Sequence, residues 1–299
     1  MNKLIITGIS GFVGQNLKKY FAKIDDVSIT SISLRDPLKP QSIDGYDTVV
    51  HLAGKAHDLK GTSDPDAYYK VNFELTKELY DVFLSSNATK FIFISSVKAA
   101  ADTVEGILTE DVIPNPQTHY GKSKLMAEDY IRSKELPIGK SYYILRPCMI
   151  HGPGNKGNLN LLYQFIKRGI PYPLAAFENK RSFLSIENLC FVIHKLVEGD
   201  HQSGIYQVAD DDALSTNEVV EILSQSMNKD AKLLAFPVNF IKVLAKVGDF
   251  LKLPLNSERL KKLTNDYVVE NTKIKSILDS SLPVSTKKGL IITAESFKT

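Results

Sequence analysis

Lys3-Leu4-Ile5-Ile6-Thr7-Gly8-Ile9-Ser10-Gly11-Phe12-Val13-Gly14, residues 3–14, begins as an apolar run and breaks into three glycines. Lys3 to Thr7 has the pattern of a short strand buried on both faces. After the glycines, Val13, Leu17, Tyr20, Phe21 and Ile24 recur at helical spacing. Strand, glycine turn and helix in succession are the context that a dinucleotide-binding fingerprint requires. Gly8 permits a tight turn, and Gly11 lets backbone approach a pyrophosphate at the positive helix N-terminus. Gly14 allows the helix to pack closely on the strand. The spacing is G-x-x-G-x-x-G, one residue longer in its first gap than G-x-G-x-x-G.

The alternation of strand and helix continues along the chain. A second strand, roughly 27–34, runs into Arg35. A cofactor with a free ribose 2′-hydroxyl meets Asp or Glu at this point, whereas Arg accommodates a 2′-phosphate. Arg35 therefore tilts the choice between NAD and NADP toward NADP, with Asp36 directly after it. Asp47 to Ala53 reads as a buried strand ending at Gly54, and His51 within it as a core histidine rather than a metal ligand. An amphipathic helix is expected from about 65 to 86, with Val71, Leu75, Leu79, Val82 and Phe83 as its stripe. Asn72 on that helix needs a partner if it faces inward.

Lys90 to Ser95 is the next strand, delivering Ser96 at its C-terminal end, where open α/β sheets bind ligands. Residues 97–118 read as a loop broken by Pro114 and Pro116, and Tyr142 to Arg146 as a strand stopped by Pro147. The predicted fold class is α/β, a doubly wound parallel Rossmann sheet with a smaller C-terminal α/β domain. Residues 1–150 are assigned to dinucleotide binding and 151–299 mainly to substrate, with about 186–208 returning to the main core. The stretch from Phe236 to Leu255 has an apolar face interrupted by Lys242, Lys246 and Lys252. Such a helix suits a membrane surface, but packing in the smaller domain or at a subunit contact is the favoured reading. Residues 264–299 show no obvious chemistry.

Tyr120-Gly121-Lys122-Ser123-Lys124 carries the candidate chemistry. On a helix over about 119–134, Tyr120 and Lys124 share one face of adjacent turns. A free phenol titrates near ~10, and a neighbouring ammonium favours its ionised form. Taken alone, such a pair is more often an inert surface pair. The glycine turn and a serine at a strand end move the reading toward an active site.

Composition narrows the alternatives. The chain has 299 residues, 43% of them hydrophobic, and can bury one large core or two modest ones. A net charge of +3 without a long basic run gives no reason to expect nucleic acid. Cys148 and Cys190 offer neither a disulfide framework nor zinc spacing, so no metal is expected. No apolar run approaches the ~20 residues of a membrane span, and no leader pattern opens the chain. A soluble, cytoplasmic protein is the expectation.

TGISGFVG at 7–14, HLAG at 51–54, VNFELT at 71–76, FISS at 93–96, YGKSK at 120–124, LRP at 145–147, GPGNKGN at 152–158 and RSFLSIENL at 181–189 follow one another in family order. Together they resemble the extended short-chain dehydrogenase/reductase family, in its NAD-dependent nucleotide-sugar epimerase/dehydratase branch. The resemblance implies that Ser96 hydrogen-bonds the reacting oxygen, Tyr120 exchanges its proton, and Lys124 holds the nicotinamide ribose while lowering the pKa of Tyr120. It implies a cofactor site lined by Gly8, Gly11, Phe12, Val13, Gly14, Arg35, Leu52, Ala53, Gly54, Asn72, Pro147 and Ile150. Asn158 and Arg181 resemble the family's nucleotide diphosphate ligands, and Lys98 and Met149 are placed to border the sugar. A homodimer pairing the helices near 65–86 and 119–134 is also implied.

Two departures sharpen the expectation. Ala100-Ala101 stands where UDP-galactose 4-epimerase-like members carry Tyr-Gly, and Arg35 stands where an acidic residue is usual. The ISSVK and NKGN patterns are similar to members that reduce a UDP-linked 4-keto-6-deoxy-N-acetylhexosamine for surface polysaccharides. Reduction of such a UDP-sugar with NADPH is the favoured expectation. Epimerisation at C4 with tightly held NAD is the runner-up. A non-catalytic dinucleotide-sensing module is the remaining alternative, disfavoured because Ser96, Tyr120 and Lys124 are all present.

Overall fold

Ten strands occur among the described residues: β1 (Asn2–Thr7), β2 (Val27–Ile32), β3 (Thr48–His51), β4 (Lys90–Ile94), β5 (Ile107–Leu108), β6 (Ser141–Pro147), β7 (Met149–His151), β8 (Phe183–Ser185), β9 (Gly204–Val208) and β10 (Val268–Val269). The computed structural model describes residues 1–35, 38–55, 64–155, 157–251 and 256–298. Six strands form one sheet in the order β2-β1-β3-β4-β6-β9, and every pairing in it is parallel. The chain steps from β1 to β2 on one side and returns to β3 on the other. That reversal opens a crevice beyond the C-terminal ends of β1 and β3, where doubly wound sheets take their ligands.

The apolar runs fill both faces of this sheet, as period-two alternation requires. Leu4, Ile6, Val50, Ile92, Tyr143 and Leu145 face one layer with Leu17, Phe21, Leu189 and Ile193. Ile5, Val49, Phe91, Phe93 and Ile144 face the other, against Leu79, Phe83, Ala127 and Ile131. A separate apolar cluster gathers Leu159, Tyr163, Phe183, Val219, Leu223, Ile241 and Leu290 from the second half of the chain. Residues 186–197 pack with the first of these clusters rather than the last.

Two local expectations are corrected. The helix expected over 65–86 is a helix at Pro65–Tyr69, a π-helical turn at Lys70–Glu74 and a helix at Leu75–Ser85. Its buried set is Tyr68, Asn72, Thr76, Leu79, Tyr80 and Phe83. The inward stripe is thus turned by about a residue, because Asn72 and Thr76 have polar partners inside. Residues 97–118 are also more than a loop. They hold a 3-10 turn at Val97–Ala99 and β5, which pairs in parallel with β10 and brings the C-terminal segment beside Ser96.

Candidate active site

The glycine turn is built for a close approach. Gly8 has φ +71°, and a Cβ there would lie 2.6 Å from the Ala53 nitrogen. A Cβ on Gly14 would lie 2.6 Å from the Gly8 oxygen. Gly11 caps the helix Phe12–Phe21 without any side-chain hydrogen bond, so the first-turn N–H groups, those of Phe12 and Val13 included, have no side chain capping them. A bare helix N-terminus cradled by glycine backbone fits a pyrophosphate. The loop after β7 closes on this helix: Asn16 donates to the Pro153 oxygen at 3.3 Å, and Asn155 donates to the Ile150 oxygen at 2.9 Å. Pro147 ends β6, and the next N–H, from Cys148, bonds Val208 at 3.1 Å.

Leu52, Ala53 and Gly54 follow β3 directly. The Ala53 N–H donates to Thr7 Oγ1 at 3.1 Å, and Thr7 Oγ1 lies 2.7 Å from His51 Nδ1. On its other side His51 Nε2 lies 2.8 Å from Thr76 Oγ1, which donates to the Asn72 carbonyl at 2.8 Å. Since the Thr76 hydroxyl proton is committed to Asn72, Nε2 must donate and Nδ1 must accept. His51 is therefore neutral, and burial, with the nearby Lys124 charge, pulls its pKa down to about 3. Folded His51 thus stays unprotonated while an unfolded chain takes up a proton below about 6.5.

Stability is fully present above about pH 6.5 and falls as pH drops toward about 3, by roughly 1.4 kcal/mol per unit at most. Denaturant unfolding between about pH 7 and about pH 4 should show this slope, and His51→Gln should flatten it. An unaltered slope in the variant would exclude His51 as its origin.

Asn72 ties three segments together. Its Oδ1 accepts from the Lys55 N–H at 2.7 Å, and its Nδ2 donates to the Lys55 oxygen at 3.1 Å and to Ser123 Oγ at 3.0 Å. Ser123 Oγ in turn donates to the Tyr120 carbonyl at 2.8 Å. The turn after β3 and the helix His119–Ser133 are so held in one register.

Ser96 caps the 97–99 turn, its Oγ accepting from the Lys98 N–H at 3.2 Å. The Tyr120 phenol hydrogen-bonds the Ser96 side chain. Tyr68 stands edge-on to Tyr120, ring centres 6.3 Å apart. Gly121 makes this approach possible, because a Cβ there would lie 2.4 Å from the Lys98 oxygen and 2.8 Å from Pro116 Cβ. The helix start is anchored by Thr118, whose hydroxyl accepts from the Gly121 N–H at 3.2 Å. Asp102 accepts from the Gln117 and Thr118 N–H groups at 2.6 and 3.2 Å.

Lys124 is buried, donates from Nζ to the Ile94 carbonyl at 2.8 Å and lies 4.7 Å above the Phe93 ring. A Cβ on Gly54 would come within 3.1 Å of that Nζ, so the glycine leaves the ammonium open toward the crevice. Burial pulls the Lys124 pKa down to about 8, and Glu128 opposes that fall. The expected effect of Lys124 on Tyr120 is corrected here. Burial raises the phenol's pKa above its ordinary value, the Ser96 hydrogen bond opposes the rise, and Tyr68 adds to it. Lys124 is aimed at the Ile94 carbonyl rather than at the phenol, so Tyr120 is a protonated phenol at neutrality.

The residues expected to meet substrate are spread around this centre. Lys98 donates from Nζ to the Asp102 carbonyl at 2.8 Å and sits 4.3 Å above the Tyr267 ring. Tyr267 donates to the Ala101 carbonyl at 2.6 Å. Met149 pairs across β7 and β8 with Phe183. Half-buried Arg181, its guanidinium pulled below its ordinary pKa by burial, exchanges backbone hydrogen bonds of 2.9 Å with Leu214. Asn158 is exposed at the head of the helix Asn158–Lys167. Arg35 is exposed after β2, its N–H on Ser33 Oγ at 3.3 Å, while Asp36 and Lys156 lie outside the described residues. Tyr68, Asp102, Gly121, Ser123, Glu128 and Tyr267 were not singled out from sequence. Gly121 and Ser123, both inside the YGKSK motif, carried a signal that could have drawn notice.

Against this geometry, the model of the NAD dependent epimerase/dehydratase family matches residues 4–209. A UDP-glucose 4-epimerase of Vibrio cholerae is 30% identical, covering 98% of this chain and 95% of its own. The chain belongs to the NAD-dependent epimerase/dehydratase family. An N-acetyl-alpha-D-glucosaminyl-diphospho-ditrans,octacis-undecaprenol 4-epimerase of Escherichia coli O157:H7 is 28% identical over 92% of this chain and 89% of its own. A UDP-2-acetamido-2,6-beta-L-arabino-hexul-4-ose reductase of Pseudomonas aeruginosa is 25% identical over 88% and 66% respectively. The structure of RMD from Pseudomonas aeruginosa complexed with NADPH superposes with a TM-score of 0.73, at 19% identity over 100% of this chain and 99% of that one. The family's members include both epimerases and reductases of nucleotide sugars.

Proposed function

We propose that the protein moves a hydride and a proton at C4 of a UDP-linked hexose, with Tyr120 as the proton carrier. The observation that carries this reading is the Ser96–Tyr120 hydrogen bond, set beside buried Lys124 at the mouth of the glycine cradle. A nicotinamide dinucleotide in that cradle supplies or accepts the hydride. Gly8, Gly11 and Gly14 seat its pyrophosphate, and Lys124 presents its ammonium to the ribose side. Ser96 donates to the sugar's C4 oxygen and orients it, while the protonated Tyr120 phenol releases its proton to that oxygen as negative charge develops there. Lys98, Met149, Asn158 and Arg181 border the sugar and diphosphate.

Net reduction of a UDP-4-keto-6-deoxy-N-acetylhexosamine by NADPH is the favoured form. Arg35 after β2 suits a 2′-phosphate, and a phenol kept protonated suits delivery of a proton to a ketone oxygen. Epimerisation at C4 is the second form, favoured by the 30% identity to a 4-epimerase. Both use Ser96, Tyr120 and Lys124, and a homodimer is proposed for either. The discriminating experiment is to denature purified protein, identify any released dinucleotide, and follow the supplied keto sugar with NADPH. Stoichiometric NADPH loss with formation of a C4 alcohol supports reduction. Released stoichiometric NAD, with interconversion of two C4 epimers and no cofactor consumed, establishes the second form.

A further inference from the structure

The helix Val238–Leu251 buries only Ile241, Ala245 and Gly248. On another stripe, Phe240, Val243, Leu244, Val247, Phe250 and Leu251 recur at three- and four-residue spacing and are all exposed, Phe250 at 87%. Leu234 and Phe236 before the helix and Leu263 after it are also exposed. A solvent-facing helix ordinarily turns polar residues outward, and contiguous apolar surface of this kind marks a contact. Lys242 and Lys246 lie exposed on the same helix. From 229 to 262 the sequence holds eight Lys and Arg against three Asp and Glu, a surplus greater than the +3 of the whole chain. Upstream, Lys229 and Lys232 line a cleft of about 370 Å³ with Ile170 and Tyr172, and residues 232–236 run from it to the helix.

We propose that this face docks the protein on an anionic phospholipid bilayer, independently of which reaction the Tyr120 site performs. The apolar stripe enters the acyl boundary, and the lysines meet lipid phosphates. No helix among the described residues is long and apolar enough to cross a membrane, so the contact is peripheral. Charge decides between a bilayer and a second copy of the chain. A two-fold contact would set the same basic segments against each other, whereas an anionic surface neutralises them.

The test is co-sedimentation of the full-length protein with vesicles of phosphatidylcholine alone or mixed with phosphatidylglycerol, alongside sedimentation velocity without lipid. The protein is expected to pellet with the anionic vesicles and to be released by salt. Phe250→Ser should lower partitioning roughly ten- to hundredfold. Lys242→Ala and Lys246→Ala should each lower it roughly fivefold. Circular dichroism should remain unchanged in all three. Wild-type protein staying in the supernatant with anionic vesicles would overturn the proposal. An oligomer without lipid that Phe250→Ser dissociates, with no vesicle binding, would assign the face to self-contact instead. Binding to neutral vesicles that ignores the lysine variants would remove the electrostatic part and overturn the anionic assignment.

Discussion

Tyr120→Phe should reduce turnover by about 10²–10⁴-fold and leave dinucleotide binding and the thermal midpoint close to wild type. The substitution keeps the ring that stands edge-on to Tyr68 and removes only the hydroxyl that bonds Ser96. The backbone of residue 120 stays held by Ser123, and the glycine cradle and Lys124 are untouched. What disappears is the proton that, in the proposed reaction, reaches the C4 oxygen as charge develops there. Replacing it with water in a closed site is slow, which sets the size of the effect. The checks are kcat with the identified sugar, a fluorescence titration with dinucleotide, and a thermal scan. Normal turnover by the variant would remove Tyr120 as proton carrier. A lost fold would show in the scan and be separable from lost chemistry.

Glu128→Gln should cost roughly 3–5 kcal/mol of stability, a large share of what a domain possesses. Glu128 and Arg146 are almost fully enclosed, at 0% and 1% exposure. Arg146 Nε lies 3.0 and 3.1 Å from the two carboxylate oxygens, and Nη2 lies 2.5 Å from one of them. Ser95 donates to the other oxygen. Glutamine keeps the shape but leaves the Arg146 cation without its counter-charge, and an enclosed unpaired ion is far costlier than the pair is favourable. Replacing both partners by leucine should recover much of the loss, which chemical denaturation of the single and double variants measures. The same carboxylate also holds up the Lys124 pKa. In Glu128→Gln, Lys124 should therefore lose its proton at lower pH, and dinucleotide affinity should weaken at a less alkaline pH than in wild type. A variant with wild-type stability would show that the cluster is water-penetrated.

Much of the geometry of the candidate site was legible in the sequence because its signals are local. A run of apolar residues, a glycine turn and a helical repeat sit within residues 3–24, and backbone sterics alone dictate why glycines belong between them. The spacing of Tyr120 and Lys124 likewise needs only a helix, and the helix His119–Ser133 is there. Ser96 could be placed at a strand end because β4 is apolar from Phe91 to Ile94. Arg35, with Asp36 directly after it, could be read off at the end of β2, since that position relative to the glycines is set by one helix and one strand.

Other features depend on groups far apart in the chain. His51 resembled any core histidine until Thr7 and Thr76, 44 and 25 residues away, fixed its tautomer. The inward turn of Asn72 and the π-helical turn around it answer to Lys55 and Ser123. Lys124 was expected to act on Tyr120, yet it donates its hydrogen bond to the Ile94 carbonyl 30 residues upstream, and burial is the main influence on the phenol's acidity. The outward stripe of the helix Val238–Leu251 could not be told from an inward one, because apolar periodicity gives a helix two possible faces and not the neighbour that covers either. Sequence by itself determined the parallel sheet, the glycine cradle and the helical spacing that sets Tyr120 and Lys124 on one face, since these follow from short-range sterics and periodicity. Tertiary structure alone decided the protonation states, the polar ties and the exposed face, since desolvation and charge act through space and depend on which distant residues close the shell.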